Sequence, residues 1–152
     1  MRTNRGELMT AGLVHISGSG EPIDVLIPTV DKDAGTLPHT IDSIRSMVRH
    51  PIGTIYVVSP DSPRIRAICA RKGCVFVNER LIEPLPKSRI RYRSKRWERS
   101  GWLYQQLLKL SGDRLSRRRH FLVMDADTVL IRPHRFRSGG RTVFYYRRWS
   151  QP

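Results

Sequence analysis

The chain alternates between runs with a strand-like pattern and runs with a helical one. IDVLIP, residues 23–28, is an apolar stretch stopped by Pro28 and predicts a buried strand. After the loop TVDKDAGT, Leu37, Ile41, Ile44 and Val48 fall on one stripe, with Asp42, Arg45 and Arg49 off it, which predicts an amphipathic helix. Thr36 is placed to cap that helix, and Pro38 suits its first turn. TIYVVS (54–59) predicts a second strand, PDSP a turn, and residues 63–72 a short helix ended by Gly73 as a left-handed cap. CVFVN (74–78) predicts a third strand.

The order β-α-β-α-β with short connections implies a parallel sheet with right-handed crossovers and helices on both faces. Residues 79–99 break the pattern with the basic stretch KSRIRYRSKRWER, in which Tyr92 and Trp97 are interleaved. It reads as a solvated connection, or as a lid over a phosphate or a nucleic-acid contact. SGWLYQQLLKLSG predicts a helix with Ser100 as cap and Gly112 as terminator. HFLVM (120–124) predicts a fourth strand, and VLI (129–131) and TVFYY (142–146) a fifth and sixth. The expected organisation is a loose leader over 1–21, one α/β domain over 22–146 and a short tail over 147–152. The length of 152 residues suits one domain with a real core, and an apolar fraction of 39% fits irregular ends.

On a helical wheel, Leu103, Tyr104, Leu107, Leu108 and Leu110 form a core side. Trp102, Gln105, Gln106 and Lys109 form the other. A Trp among two amides and an ammonium is either covered by a loop, for which 79–99 is available, or used to bind a ligand.

Charge narrows the partners. There are 28 Lys+Arg against 13 Asp+Glu, a net charge of +15. Such a surface attracts phosphorylated ligands, nucleic acid or an acidic membrane face. Cys69 and Cys74 are the two cysteines, too few for a disulfide framework, and are expected as reduced, mostly buried thiols. The N-terminal segment has no long apolar core, and no stretch approaches the length of a membrane span. The expected location is the cytoplasm, with peripheral attachment to the inner face of the membrane as a further option.

Against that background, HFLVMDADTVLIRP (120–133) places two carboxylates at the tip of an apolar run. Two Asp separated by one residue can both offer oxygens to one hard cation, and Mg²⁺ and Mn²⁺ take one or two protein carboxylates plus substrate phosphates. The plain alternative is a capped turn without a metal. In parallel sheets ligands bind beyond the carboxyl ends of the strands. That rule points to the loop after Pro28, the loop after Ser59 and the Asp125-Ala126-Asp127 turn.

The segments IDVLIPTVDKD, SIRSMVRHPIGTIYVVSP, GWLYQQLLKL and FLVMDADTVLIRP, in this order over roughly 22–134, resemble a GT-A-fold, nucleotide-sugar-dependent glycosyltransferase. They are especially similar to a bacterial family of uncharacterised glycosyltransferase-like proteins. The resemblance implies a Rossmann-like GT-A three-layer sheet and a nucleotide-diphospho-sugar ligand. Thr29 to Asp31 would border the nucleobase and ribose. Asp125 would face the ribose or share the metal, and Asp127 would be the principal ligand to Mn²⁺ or Mg²⁺. Gln106 and Lys109 would lie near the donor, with Trp102 on the same helix side. Enzymes of this kind continue well past the Asp-x-Asp strand, where acceptor binding, a catalytic base and often a His ligand reside. Here RFRSGGRTVFYYRRWSQP offers no carboxylate, and His134 lies too close to the motif to take the family's role. The expectation is a donor-binding half, incomplete at the C-terminal side, with no assigned catalytic residue and a partner chain as one way to complete the site.

Two other classes compete for the same residues. A haloacid-dehalogenase-like phosphatase also carries Asp-x-Asp at a strand end, but there the motif opens the domain rather than closing it. A basic nucleic-acid-binding module fits the Arg and aromatic stretches at 89–97 and 141–149, yet leaves Asp125 and Asp127 unexplained.

Overall fold

All six residues of β1 (Ile23–Pro28) are buried, as a strand covered on both faces requires. The structure, a computed structural model, describes residues 20–94 and 96–145. The expected leader over 1–21 and tail over 147–152 lie almost wholly outside the described residues. β1 pairs in parallel with β2 (Ile52–Ser59) on one side and with β6 (Phe121–Val123) on the other. β2 in turn pairs in parallel with β3 (Val75–Asn78), giving the order β3-β2-β1-β6.

Side chains alternate across a strand, so β1 feeds two cores. Ile23, Val25 and Ile27 join Ile55 and Val57 under α1 (Leu37–Met47) and α2 (Pro63–Lys72). Leu26 and Val58 face the other way, under α4 (Ser100–Leu110). Leu37, Ile41, Ile44 and Ile65 are wholly buried on the first side, and Tyr104 and Leu108 are buried on the second. The helices therefore cover both faces, as their spacing predicts.

Several local expectations need correction. Thr36 makes no side-chain cap, because its backbone is already helical; its carbonyl instead accepts the His39 and Thr40 N–H groups. Ser100 is the first residue of α4, not its cap, and its hydroxyl accepts the Tyr92 N–H. Leu110 is 77% exposed, because the chain turns away immediately after it. Gly112 does not end α4 through a left-handed conformation. It sits in a 3-10 turn over Ser111–Arg114, where an added Cβ would lie 2.3 Å from the Phe121 ring. By contrast Gly73 does cap α2 at φ 57°, and Ser62 caps its start by accepting the Ile65 N–H.

The basic connection is not wholly irregular. It contains α3 (Glu79–Ile82) and a small antiparallel ribbon of β4 (Arg93–Ser94) and β5 (Trp97–Glu98). Ile82 and Ile90 pin it to the second core. VLI forms no strand: the Leu130 N–H is taken by the Ser43 hydroxyl of α1, and Ile131 is 80% exposed. Of the described residues of TVFYY, 142–145, only Thr142 joins a strand. It lies in β8 (Arg141–Thr142), which folds back on β7 (Arg137–Ser138) across Gly139 and Gly140. Both glycines have positive φ, 56° and 77°, the requirement of a two-residue hairpin turn. Phe144 and Tyr145 are exposed, and Tyr146 is outside the described residues. No helix among the described residues is long and apolar enough to cross a membrane.

Candidate functional site at the strand-order reversal

The sheet runs β1, β2, β3 outward in one direction and then returns to place β6 on the far side of β1. α1, which follows β1, covers one face, while α4, which precedes β6, covers the other, and the crevice at the carboxyl ends of β1 and β6 is where open parallel sheets bind ligands. Thr29 follows β1 there, buried, its N–H donated to the Val58 carbonyl. On the β6 side, the Met124 N–H continues the ladder to the Leu26 carbonyl, and the chain then turns, with the Thr128 N–H on the Asp125 carbonyl.

Ala126 decides how that turn presents its flanks. It is 3% exposed, and its carbonyl accepts the buried Thr40 hydroxyl at 2.8 Å. With Ala126 held against α1, Asp125 and Asp127 both stand in the open. The Lys109 ammonium, from the last turn of α4, lies 2.6 Å from an Asp125 carboxylate oxygen.

Two adjoining cavities form the crevice. The smaller, about 180 Å³, is lined by Gln106, Lys109, Asp125 and Asp127 together with Asp33. The larger, about 400 Å³, is lined by Thr29, Glu79, Lys87 and Tyr104. Trp102, Gln105, Lys32 and Pro28 border both. Trp102 is half exposed, and Tyr92 from the basic connection stacks on it at 6.3 Å between ring centroids. The loop thus covers one part of the indole and leaves another open to the cavities.

Of the residues named from sequence, Thr29, Trp102, Gln106, Lys109, Asp125 and Asp127 come together here. Asp31 does not line either cavity; its carboxylate accepts the hydroxyl of Ser62, the cap of α2. Its neighbours Lys32 and Asp33 reach the crevice instead. They were legible only as members of the DKD loop, and Lys87 only as the first residue of the basic stretch 87–99, while Glu79 carried no sequence signal that set it apart. Burial pushes the Glu79 carboxyl up, and the charges of Lys87 and Arg80 offset this only in part. Burial, with Cys74 nearby, pushes the Cys69 thiol up to about 11, so it is no thiolate nucleophile at neutral pH.

Among the described residues, no three His, Cys, Asp or Glu side chains converge so as to hold a metal ion. The turn offers two carboxylates, one of them already on Lys109. That donor set fits a hard divalent cation that takes its remaining oxygens from a bound phosphate and water. It does not fit a closed structural metal site.

A family profile matches residues 36–151. The chain belongs to the family of unknown function DUF6492. The DUF6492 match takes in α1, α4 and the Asp125–Asp127 turn, and starts beyond β1 and Thr29. Neither a curated protein nor a solved structure matches the chain.

Proposed function

We propose that the chain binds a nucleotide-diphospho-sugar in this crevice, as the donor-binding part of a GT-A-type glycosyltransferase. The observation that carries the reading is the meeting of Asp125, Asp127 and Lys109 at the reversal between β1 and β6, beside the open face of Trp102. Asp127 and the free oxygen of Asp125 would hold Mn²⁺ or Mg²⁺, which when bound neutralises charge on a diphosphate. Lys109 is placed to meet a phosphate oxygen, and Lys32 borders the same space. The Gln105 and Gln106 amides offer hydrogen bonds to sugar or ribose hydroxyls. Trp102 offers a flat apolar surface to a base or a sugar ring.

The test is thermal unfolding of the chain against a panel of nucleotide diphosphates and nucleotide sugars, with Mn²⁺ or with chelator. One nucleotide class is expected to raise the melting temperature only with metal, since a ligand at about 100 times its Kd adds about 2.7 kcal/mol. Asp127→Asn is expected to remove that rise without altering the unliganded melting temperature, because Asp127 is exposed and bonds to nothing within the described residues. No shift with any nucleotide in the folded chain would sink the proposal.

One observation favours a second reading, a nucleic-acid contact: Trp97 is 71% exposed on the ribbon of the basic connection, opposite Ser94. Steeply salt-dependent oligonucleotide binding that survives Asp127→Asn is its signature.

A further inference from the structure

We infer a second binding site, for a small phosphate-bearing anion, at the opposite end of the sheet. A cavity of about 240 Å³ opens at the amino ends of β1 and β2, lined by Ile23, His50 and Pro51 and closed by the β7–β8 turn. It lies the length of β1 away from Asp125, about 20 Å at ~3.3 Å per residue. Arg49, Arg135 and Arg137 border it, and Glu21 is its one carboxylate among the described residues. Three guanidinium groups against one carboxylate leave two positive charges in excess, the complement of a phosphomonoester dianion.

The donors are built in rather than merely nearby. Arg137 donates through Nη1 to His120 Nδ1 at 3.0 Å and through Nη2 to the Gly140 carbonyl at 3.2 Å. Its Nε is buried and has no acceptor among the described residues, an unusual state for a buried donor. The guanidinium is thus fixed against the turn with its donors only partly used. Arg49 and Arg135 are exposed and enter no ion pair among the described residues. His50 adds a neutral donor. Its Nε2 accepts the N–H groups of Phe136 at 3.0 Å and Arg137 at 3.1 Å, which puts its proton on Nδ1. That nitrogen faces Gly20 on the cavity wall, 3.8 Å from where a Cβ would stand. Guanidinium forks and an imidazole N–H around a compact space are matched by tetrahedral phosphate oxygens, and Arg is the residue best shaped to hold them.

Calorimetric titration of the full chain with inorganic phosphate, at ionic strength held constant with chloride, tests the site. Saturable one-site binding is expected. Arg49→Gln with Arg135→Gln is expected to weaken it at least about tenfold, or about 1.4 kcal/mol, while Arg64→Gln, exposed on α2 and outside both sites, leaves it unchanged. Phosphate-induced NMR shifts at His50, Gly139 and Gly140, absent from Asp125 to Asp127, provide a readout that needs no variant. Phosphatidylcholine vesicles carrying phosphatidic acid identify the source. Capture that free phosphate displaces assigns the site to a lipid headgroup phosphate, and saturable phosphate binding without capture assigns it to a soluble one. The inference is overturned if phosphate binding does not saturate, or if the arginine pair weakens it no more than Arg64→Gln does; saturable binding with vesicle capture indifferent to phosphate assigns the site to a soluble anion.

Discussion

Replacing Asp24 with alanine is expected to destabilise the folded chain by about 3 kcal/mol, read from the midpoint of urea unfolding. Asp24 sits inside β1 on the second-core side and is 4% exposed. It accepts the Thr54 N–H at 2.8 Å, the Ser116 hydroxyl at 2.7 Å and the Arg118 Nε–H at 2.9 Å. Alanine leaves the buried Ser116 hydroxyl and the half-buried Thr54 N–H without this acceptor, and such a loss costs about 1–3 kcal/mol for a fully buried donor and less for a half-buried one. Arg118 adds less, since its side chain is 40% exposed and water takes over part of its bonding. The same contacts give the effect a pH signature. Burial alone would raise the carboxyl, but the hydrogen bonds from Thr54, Ser116 and Arg118 and the Arg118 charge outweigh it and hold Asp24 below its ordinary 3.8. In acid the unfolded chain therefore binds this proton first. The stabilisation is complete above the ordinary value and is lost as pH falls through the lower, folded one. Wild-type stability is expected to fall more steeply with acid below about pH 4 than that of Asp24→Asn; parallel acid limbs would show that Asp24 is not held as described.

Gly53→Ala attacks the same network from the facing strand, with an expected loss of about 2 kcal/mol. The new Cβ would stand 2.3 Å from the Asp24 carboxylate oxygen and 2.7 Å from the Arg118 Nε. Arg118 can swing aside, but that oxygen is tied to the N–H of Thr54, the residue next to Gly53, so the methyl displaces the acceptor from its donor. The two substitutions should not add. Once Asp24 is alanine, the space is free and Gly53→Ala should cost nearly nothing, a coupling close to the whole single-mutant effect. Additive losses in the four-membered cycle would mean that Gly53 matters for some other reason.

Neither of these residues was conspicuous in the sequence. IDVLIP announced its burial by apolar content, and its Asp was absorbed into that reading; what satisfies a buried carboxylate comes from residues 54, 116 and 118, and no local pattern encodes such contacts. The strands and helices from 23 to 78 were legible because period, turn residues and caps such as Gly73 agree there. Past residue 120 they diverge. VLI has strand composition, but Ser43 claims the Leu130 N–H, and the Gly139-Gly140 turn pairs the chain with itself. At the crevice, the Asp-x-Asp pair and the polar side of α4 were legible as patterns. Lys32, Asp33, Glu79 and Lys87 were not, since what gathers them is the reversal of strand order.

The ion pair between Lys109 and Asp125 also governs how the crevice takes up charge. An ammonium already sits 2.6 Å from one of the two carboxylates, so the resting turn carries its own counterion. A dication arriving together with an anionic ligand would exchange partners with it: carboxylate to dication, ammonium to anion. Such an exchange separates no charge that is not re-paired in the same event. Occupancy of this crevice should therefore respond only weakly to added salt, even though the +15 chain as a whole attracts anions from a distance.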